Sequence, residues 1–319
     1  MRTPKFWQHR NLASTLLLPY AAFYAAGAAL DRAITKPQQA ALPVISIGNA
    51  TAGGAGKTPT ALALAPMLRS MGHAPHFITR GYGSKGATRR AAPTSDWKLV
   101  GDEALLLAAT APTWVGADRI TSIAAARAEG ASLAIADDAL QHHALKKDIS
   151  LLVIDGGYGF GNGRLIPAGP LREPVAQALK RSDAVLIIGD NRHQLTFNKP
   201  TFTAHLQPQG DSSWLRGAKL FAFAGLAHPQ KFYDLLSSLG ADIVATRDFA
   251  DHHAFTESEL QQICTEAQRQ GAMPIATAKD AVKFPAAMRP QIRVLEAALT
   301  FDDPASLQNW LQTRLPAPI

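Results

Sequence analysis

Residues 42–60 read LPVISIGNATAGGAGKTPT, an apolar run followed by a glycine-rich segment. The segment ends in Gly56, Lys57 and Thr58, directly before a helical pattern. A strand, a glycine-rich loop and a helix in this order form the phosphate-binding P-loop, whose pattern is G-x-x-x-x-G-K-[ST]. The last three positions of the pattern match, while Thr51 stands in place of its first glycine. The sequence therefore predicts a loop that binds the phosphates of a nucleotide.

The residue types of this predicted loop suit a triphosphate. Glycines allow backbone amides to wrap an anion in conformations that a Cβ atom would forbid, and the N-terminus of the following helix attracts phosphate. We expect the Lys57 ammonium to bridge the β- and γ-phosphates and the Thr58 hydroxyl to bind Mg²⁺. The predicted nucleotide-binding residues are Thr51, Ala52, Gly53, Gly54, Ala55, Gly56, Lys57 and Thr58.

Two aspartates follow another apolar run and supply the expected metal ligands. Residues 133–136 have strand character, and Asp137 and Asp138 come directly after them. Mg²⁺ prefers carboxylate oxygens together with water and phosphate oxygens, and ligands collect at the carboxyl ends of parallel strands. We predict that Asp137, Asp138 and Thr58 hold Mg²⁺, with an ordinary acidic turn as the alternative.

Composition narrows the class of protein. The chain has 319 residues, of which 47% are hydrophobic and 18% charged, so it can bury a sizeable core. Its single cysteine, Cys264, excludes a disulfide framework and a cysteine metal cluster. The net charge of +7 favours anionic partners. Since the basic residues are scattered and aromatic residues make up only 7%, we expect no nucleic-acid partner.

Short apolar runs alternate with helical patterns after residue 40. The predicted strands of the first part are residues 44–47, 76–79, 113–115, 133–136, 149–154 and 184–188. Such alternation predicts an α/β fold with a parallel sheet and helices on both faces. A polar segment at 190–213 interrupts the pattern, which then restarts. We predict an N-terminal membrane-associated helix at 1–40, a P-loop domain at 41–214 and a smaller α/β domain at 215–319.

The N-terminal run from residue 11 to residue 30 carries no charge and is flanked by basic residues. It just reaches the length of about 20 residues that a membrane-crossing helix needs, although Pro19 interrupts it and its alanines drive insertion weakly. A signal peptide and a buried core helix are the alternatives, and a signal peptide would export the nucleotide site away from ATP. We favour a helix that associates with the cytoplasmic leaflet. Whether this helix spans the bilayer stays open.

Two missing features limit the class of P-loop protein. Partition-type ATPases carry a lysine immediately before the Gly-Gly pair, where this chain has Ala52. GTPases recognise guanine through N-K-x-D, whereas Lys279 and Asp280 are adjacent in ATAKDAVKF. Guanine specificity is therefore not predicted. A membrane-associated partition-type ATPase and a membrane-tethered nucleotide sensor without transfer chemistry stay as alternatives.

A family resemblance rests on seven segments: SIGNATAGGAGKTP, TRGYGS, VGDEALLLA, ADDALQHHAL, DISLLVIDGGYGFGNGRLIPAGPLREP, FAGLAHPQKFYDLL and DFADHHAF. Together they resemble the tetraacyldisaccharide 4′-kinases, the lipid A 4′-kinases of Gram-negative bacteria. The resemblance extends from the N-terminal run to TAKDAVKF, and the NGRLIPAGPLREP block is more specific than the P-loop alone. The chain departs from the family where Ala139 replaces the usual glycine and TAKD replaces the commoner TEKD.

The resemblance implies a P-loop kinase on the cytoplasmic face of the inner membrane. Such an enzyme uses ATP and Mg²⁺ and transfers the γ-phosphate to the 4′-hydroxyl of a tetraacylated, 1-phosphorylated glucosamine disaccharide. The implied partners are this lipid substrate and the lipids of the inner membrane, and no protein partner is implied.

The resemblance also implies roles for individual residues. Asp102 would be the base that accepts the hydroxyl proton, and His252, in preference to His253, would orient it, with Lys57 as the third catalytic residue. The candidate substrate-binding residues, with the first two ranked highest, are Glu173, Arg172, His142, Arg119, Arg80, Tyr82 and Gln141.

Overall fold

The computed structural model describes residues 4–81 and 87–317, which form two compact units. The larger unit contains residues 4–206 and 299–317, and the smaller unit contains residues 207–298. The sequence predicted residues 299–317 as the end of the second domain at 215–319. In the structure they belong to the larger unit. The reason is long-range packing, since Leu307 and Leu311 join the same hydrophobic core as Ile45.

The strands of the described residues are β1 (Val44–Gly48), β2 (Pro75–Thr79), β3 (Arg89–Ala91), β4 (Thr113–Val115), β5 (Leu133–Asp137), β6 (Ile149–Asp155), β7 (Ala184–Ile188), β8 (Thr201–Pro208), β9 (Lys219–Ala224), β10 (Asp242–Asp248), β11 (Met273–Thr277), β12 (Arg293–Leu295) and β13 (Ala297–Phe301). The α-helices of the same residues are α1 (Leu12–Leu16), α2 (Leu18–Ile34), α3 (Lys57–Ser70), α4 (Trp97–Val100), α5 (Asp102–Ala108), α6 (Arg119–Ala128), α7 (Val175–Lys180), α8 (Gln230–Ser238), α9 (Glu257–Arg269), α10 (Ala278–Ala281) and α11 (Pro304–Gln312). All six strands predicted for the first part are confirmed, each with ends within one residue of the prediction.

Within residues 4–81 and 87–317, one sheet has nine strands in the order β13-β8-β7-β6-β1-β5-β2-β4-β3. The central strand β1 pairs in parallel with both β5 and β6, and the short edge strand β3 is antiparallel to β4. Sequence reasoning missed β3 and β8. Both are polar, and β8 is largely exposed, so neither shows the apolar run of a buried parallel strand.

Helices cover both faces of this sheet, as the alternation of apolar runs and helical patterns predicted. Ile45 and Ile47 of β1 pack in one hydrophobic cluster with Leu64 of α3. Val44 points to the other face and packs with Ile123 of α6. Because successive side chains of a strand point to opposite faces, a strand buried on both faces has a continuous apolar run.

The smaller unit is a second α/β layer structure, with a parallel sheet in the order β10-β9-β11-β12 among its described residues. The side chains of β9 alternate between two cores. Phe221 and Phe223 pack with Leu260 of α9, whereas Leu220 packs with Phe232 of α8.

The N-terminal helices α1 and α2 belong to the larger unit and bury few side chains. Only Ser14 and Ala21 are buried within the two helices, so the alternative of a buried core helix is wrong. The exposed large apolar side chains of these helices are Leu12, Leu16, Leu18, Tyr20, Phe23, Tyr24, Leu30 and Ile34. Pro19 lies in the first turn of α2, where a proline is tolerated.

No helix in the described parts of the chain combines the length and the hydropathy required to cross a membrane.

A buried ion pair stabilises the smaller unit. The Lys283 ammonium lies 3.0 Å from Asp280 Oδ1, and both side chains are fully buried. Asp280 Oδ2 accepts hydrogen bonds from the Gly225 amide and the Thr277 hydroxyl. Asp280 therefore connects the residues after β9 to the start of α10.

We predict that Asp280→Ala lowers the free energy of unfolding by about 3–5 kcal/mol, because the buried ammonium of Lys283 loses its carboxylate. Urea denaturation followed by circular dichroism measures the change. Asp234→Ala, at an exposed position on α8, is the matched control and should change stability by less than about 0.5 kcal/mol. Equal midpoints for the two variants would contradict the prediction.

Candidate functional site

The glycine-rich loop connects β1 to α3 and has the backbone of a phosphate-binding loop. Gly53 and Gly56 have φ angles of 115° and 92°, which side chains other than glycine rarely adopt. A Cβ atom on Gly56 would also lie 2.4 Å from Ile188 Cδ1. α3 begins at Lys57, directly after Gly56. Its first amides are therefore at the loop, where they can bind an anion.

Asn49 organises this loop, and sequence reasoning missed it. Its buried side chain donates from Nδ2 to Thr51 O at 2.7 Å and, at 3.4 Å, to Gly53 O. Its Oδ1 accepts a hydrogen bond of 3.2 Å from Lys57 Nζ. Asn49 thus holds the loop backbone and the loop lysine at once. The available signal was an asparagine immediately after the strand, which turns commonly use for side chain to backbone hydrogen bonds.

The predicted metal ligands Thr58 and Asp137 are brought together. Ile47 of β1 is paired with Asp137 of β5, so the two strands end side by side. Thr58 Oγ1 donates to Asp137 Oδ2 at 2.9 Å, while the buried Asp137 Oδ1 has no hydrogen-bond partner. Burial and the charge of Glu103 raise the pKa of Asp137 to about 7. A hydroxyl beside an unpaired carboxylate oxygen is a donor set that fits Mg²⁺.

Asp138, the third predicted ligand, lies between two cations. Arg172 donates to both of its carboxylate oxygens, at 2.9 and 3.1 Å, and Lys57 Nζ lies 3.7 Å from Oδ1. Burial alone would raise the pKa of Asp138, but the charges of Lys57 and Arg172 outweigh it and lower the pKa. In this arrangement Asp138 holds the loop lysine and Arg172 near the phosphate site.

Asp102 is the first residue of α5 and is buried. Its Oδ1 accepts a 2.9 Å hydrogen bond from the Glu103 amide. Glu103 lies close enough to Asp137 for its charge to raise the pKa of that carboxyl, so the start of α5 is near the predicted metal ligands. This position is compatible with a base beside the phosphates.

In addition to Arg172, three predicted substrate residues have internal partners. Buried Arg119 donates to the carbonyl oxygens of Asp137 and Asp138, at 3.3 and 2.8 Å. Buried Glu173 forms an ion pair with Arg181 and accepts a 2.9 Å hydrogen bond from Gln141, which also donates to Asn49 O. These contacts favour a positioning role for Arg119, Glu173 and Gln141 over direct contact with a sugar.

Two further candidates, His142 and Arg80, lie within the described residues. Burial, with the charges of Arg119 and Lys147, lowers the pKa of His142 to about 4, so its imidazole is neutral at pH 7. Arg80 follows β2 and is exposed. Tyr82 lies outside the described residues.

His252 belongs to the smaller unit and follows β10 with a φ of 59°. Its Nε2 lies 3.7 Å from Asp251 Oδ2, and Lys279 Nζ lies 3.3 Å from Asp251 Oδ1. Neighbouring His253 lies 3.1 Å from Glu259, the residue that closes the capping box of α9. A structural role for His253 favours His252 as the catalytic candidate. Its pairing with Asp102 stays a prediction.

The glycine-rich loop, the lysine and threonine that open α3, and the aspartate on the adjacent parallel strand define a P-loop protein that binds a nucleoside triphosphate. The comparisons with known proteins are more specific. A family model described as LpxK, tetraacyldisaccharide-1-P 4′-kinase, matches residues 13–316. The chain belongs to this family.

Similar proteins align with nearly the whole chain. The tetraacyldisaccharide 4′-kinase of Paramagnetospirillum magneticum is 44% identical over 96% of this chain and 97% of its own length. That of Rhodospirillum rubrum is 43% identical over 99% of this chain and 100% of its own length. A crystal structure of LpxK from Aquifex aeolicus in complex with ATP has a TM-score of 0.76 at 24% identity. The match covers 96% of this chain and 100% of the LpxK chain, so the two proteins share a fold.

We predict that Asn49→Ala raises the dissociation constant of ATP about tenfold, because the loop and Lys57 lose hydrogen bonds that hold them in place. Isothermal titration calorimetry measures this constant. Asn309→Ala, at an exposed position on α11, is the control and should bind ATP like the unmodified protein. An Asn49→Ala dissociation constant within about twofold of normal would contradict the proposed role.

Proposed function

We propose that this chain transfers the γ-phosphate of ATP to the 4′-hydroxyl of a tetraacyldisaccharide 1-phosphate, a reaction of lipid A biosynthesis. The observation that carries the proposal is a phosphate-binding loop in a chain that matches the tetraacyldisaccharide 4′-kinase family over residues 13–316. The relatives from Paramagnetospirillum and Rhodospirillum bear the name of this activity.

The residues of the larger unit have the chemistry that this transfer requires. Phosphoryl transfer depends mainly on positioning and on neutralising the charge of the transferred group. The Lys57 ammonium and the first amides of α3 would stabilise the β- and γ-phosphates. Thr58 and Asp137 would hold Mg²⁺, which supplies further positive charge to the phosphate oxygens when it is bound.

A sugar hydroxyl is a weak nucleophile and benefits from a base. Asp102 would accept the proton of the 4′-hydroxyl as its oxygen forms a bond to the γ-phosphorus. The bond between that phosphorus and the β–γ bridging oxygen breaks, and ADP leaves. His252 would orient the Asp102 carboxylate.

The lipid acceptor requires the reaction to take place at a membrane surface. Four acyl chains do not leave a bilayer readily, since exposing each CH₂ to water costs about 0.8 kcal/mol. Phe23 and Leu12 of the N-terminal helices are 78% and 75% exposed, and Arg10 and Arg32 lie at the ends of this region. We infer that α1 and α2 lie in the cytoplasmic leaflet of the inner membrane, with their basic residues near anionic head groups.

A partition-type ATPase without a lipid acceptor is not favoured. That class needs a lysine immediately before the Gly-Gly pair, and Ala52 occupies this position. The Ala52 amide donates a 2.7 Å hydrogen bond to Pro170 O, so this position is joined to the segment that precedes Arg172.

The direct test incubates the purified protein with γ-labelled ATP, Mg²⁺ and detergent-dispersed tetraacyldisaccharide 1-phosphate. We expect the label on the lipid. Asp102→Asn should lower kcat by about 100-fold or more, the contribution of a general base, with little change in the KM for ATP. Asp234→Asn on α8 is the control and should retain full activity.

Two outcomes would contradict these expectations separately. Hydrolysis of ATP with no label on the lipid would exclude the proposed function. Near-normal turnover of Asp102→Asn at saturating substrate would exclude Asp102 as the base and leave the function in place.

We predict that Phe23→Asp weakens binding to vesicles of phosphatidylethanolamine and phosphatidylglycerol about tenfold, since a charge replaces an apolar side chain at the interface. Vesicle flotation measures the bound fraction. Val244→Asp, at a half-exposed apolar position in β10, is the control and should bind normally. Equal binding of both variants and the unmodified protein would exclude the proposed membrane contact.

A further inference from the structure

The loop from residue 159 to residue 167, here the docking loop, follows β6 and holds the N-terminal residues 4–16 in place. Trp7 Nε1 donates to Pro167 O at 3.0 Å. The Arg164 guanidinium donates to the hydroxyls of Ser14 and Thr15, at 2.8 and 3.0 Å. The nucleotide site does not account for these contacts, although the docking loop belongs to the most distinctive block of the sequence.

Asn162 is the centre of the docking loop. Asn162 is buried, and its backbone amide donates to Trp7 O at 2.8 Å. Its Nδ2 donates to Phe6 O at 3.2 Å and to Ala168 O at 3.0 Å, while Oδ1 accepts a 3.0 Å bond from the Arg164 amide. Every polar atom of this side chain is therefore used. A buried carbonyl that loses such a donor bears a desolvation cost.

Close backbone approach supports the same arrangement. A Cβ atom on Gly161 would lie 2.6 Å from Trp7 O, and one on Gly169 would lie 2.1 Å from Asn162 Oδ1. Gly161 and Gly169 thus leave the space that the contacts of Asn162 need.

The same block reaches the nucleotide site a few residues later. Pro170 O accepts the Ala52 amide at 2.7 Å, and the Arg172 amide donates to Ala50 O at 2.8 Å. The Arg172 side chain then binds Asp138. Residues 162–172 therefore contact the N-terminal residues at one end and the P-loop backbone at the other.

We propose that Asn162 is a positioning residue that sets the N-terminal helices at a fixed place relative to the P-loop. This inference rests on the proposed function, in which those helices lie at the membrane surface beside the acceptor lipid. Asn162 acts through Phe6, Trp7 and the docking loop, and it touches neither nucleotide nor metal ligands. The lipid 4′-hydroxyl is thereby presented at a constant height above the phosphates.

The test is Asn162→Leu, which keeps the approximate shape of the side chain and removes its hydrogen bonds. We expect the KM for the lipid in mixed micelles to rise about tenfold, with the KM for ATP and the dissociation constant of ATP unchanged. Hydrogen–deuterium exchange should become faster over residues 4–16 and stay unchanged over residues 44–70. Asn309→Leu on α11 is the matched control for both readouts.

Arg164→Met is a second variant, at a half-buried position where folding is less at risk. It removes the bonds to Ser14 and Thr15 and should raise the lipid KM about threefold, again without an effect on ATP.

Other results would overturn the proposal. A normal lipid KM in both variants would contradict it. Equal changes in the KM for the lipid and the KM for ATP, with faster exchange throughout the chain, would contradict it as well, because that is the result of general destabilisation. If the unmodified protein labels no lipid, the proposed function fails separately. The exchange data then decide whether Asn162 holds the N-terminal residues, and unchanged exchange over 4–16 overturns that as well.

Discussion

The parallel pairing of β1 with β5 is the constraint on which the nucleotide site depends. Paired parallel strands end at the same edge of a sheet, so the loop that follows β1 must lie beside the residue that ends β5. This pairing brings the Thr58 hydroxyl to the Asp137 carboxylate, although 78 residues separate them along the chain. The burial that the strands provide also raises the pKa of Asp137 and leaves one of its oxygens without a protein partner.

The charged groups around this edge of the sheet bind one another or nearby backbone carbonyls. Asp138 binds both Lys57 and Arg172, Arg119 binds the carbonyls at the end of β5, and Glu173 is held by Arg181 and Gln141. A buried charge is tolerated only where such partners exist. These contacts therefore hold Lys57 and Arg172 in place before any ligand arrives, which is the preorganisation that charge-stabilising catalysis requires.

The N-terminal helices combine two kinds of surface. Their polar atoms, with those of the preceding turn, bind the docking loop through Trp7, Ser14 and Thr15, and their large apolar side chains are exposed. An apolar surface of this kind is costly in water and favourable at a lipid interface. Because the docking loop continues into the block that contacts Ala50 and Ala52, the surface proposed for the membrane and the phosphate site share one support.

The amino-acid sequence by itself determined the six buried strands, the P-loop, the second α/β unit and the family. Each of these depends on a local pattern: an apolar run of strand length, glycines before Gly-Lys-Thr, or contiguous motifs. Only the tertiary structure decided that the side chains of Asn49 and Asn162 hold backbone groups through hydrogen bonds. It also decided that Glu173 and Arg119 bind internal partners and that residues 299–317 join the larger unit. The physical reason is that a polar side chain has no periodic pattern. Its role depends on which distant backbone groups the fold leaves within hydrogen-bonding distance.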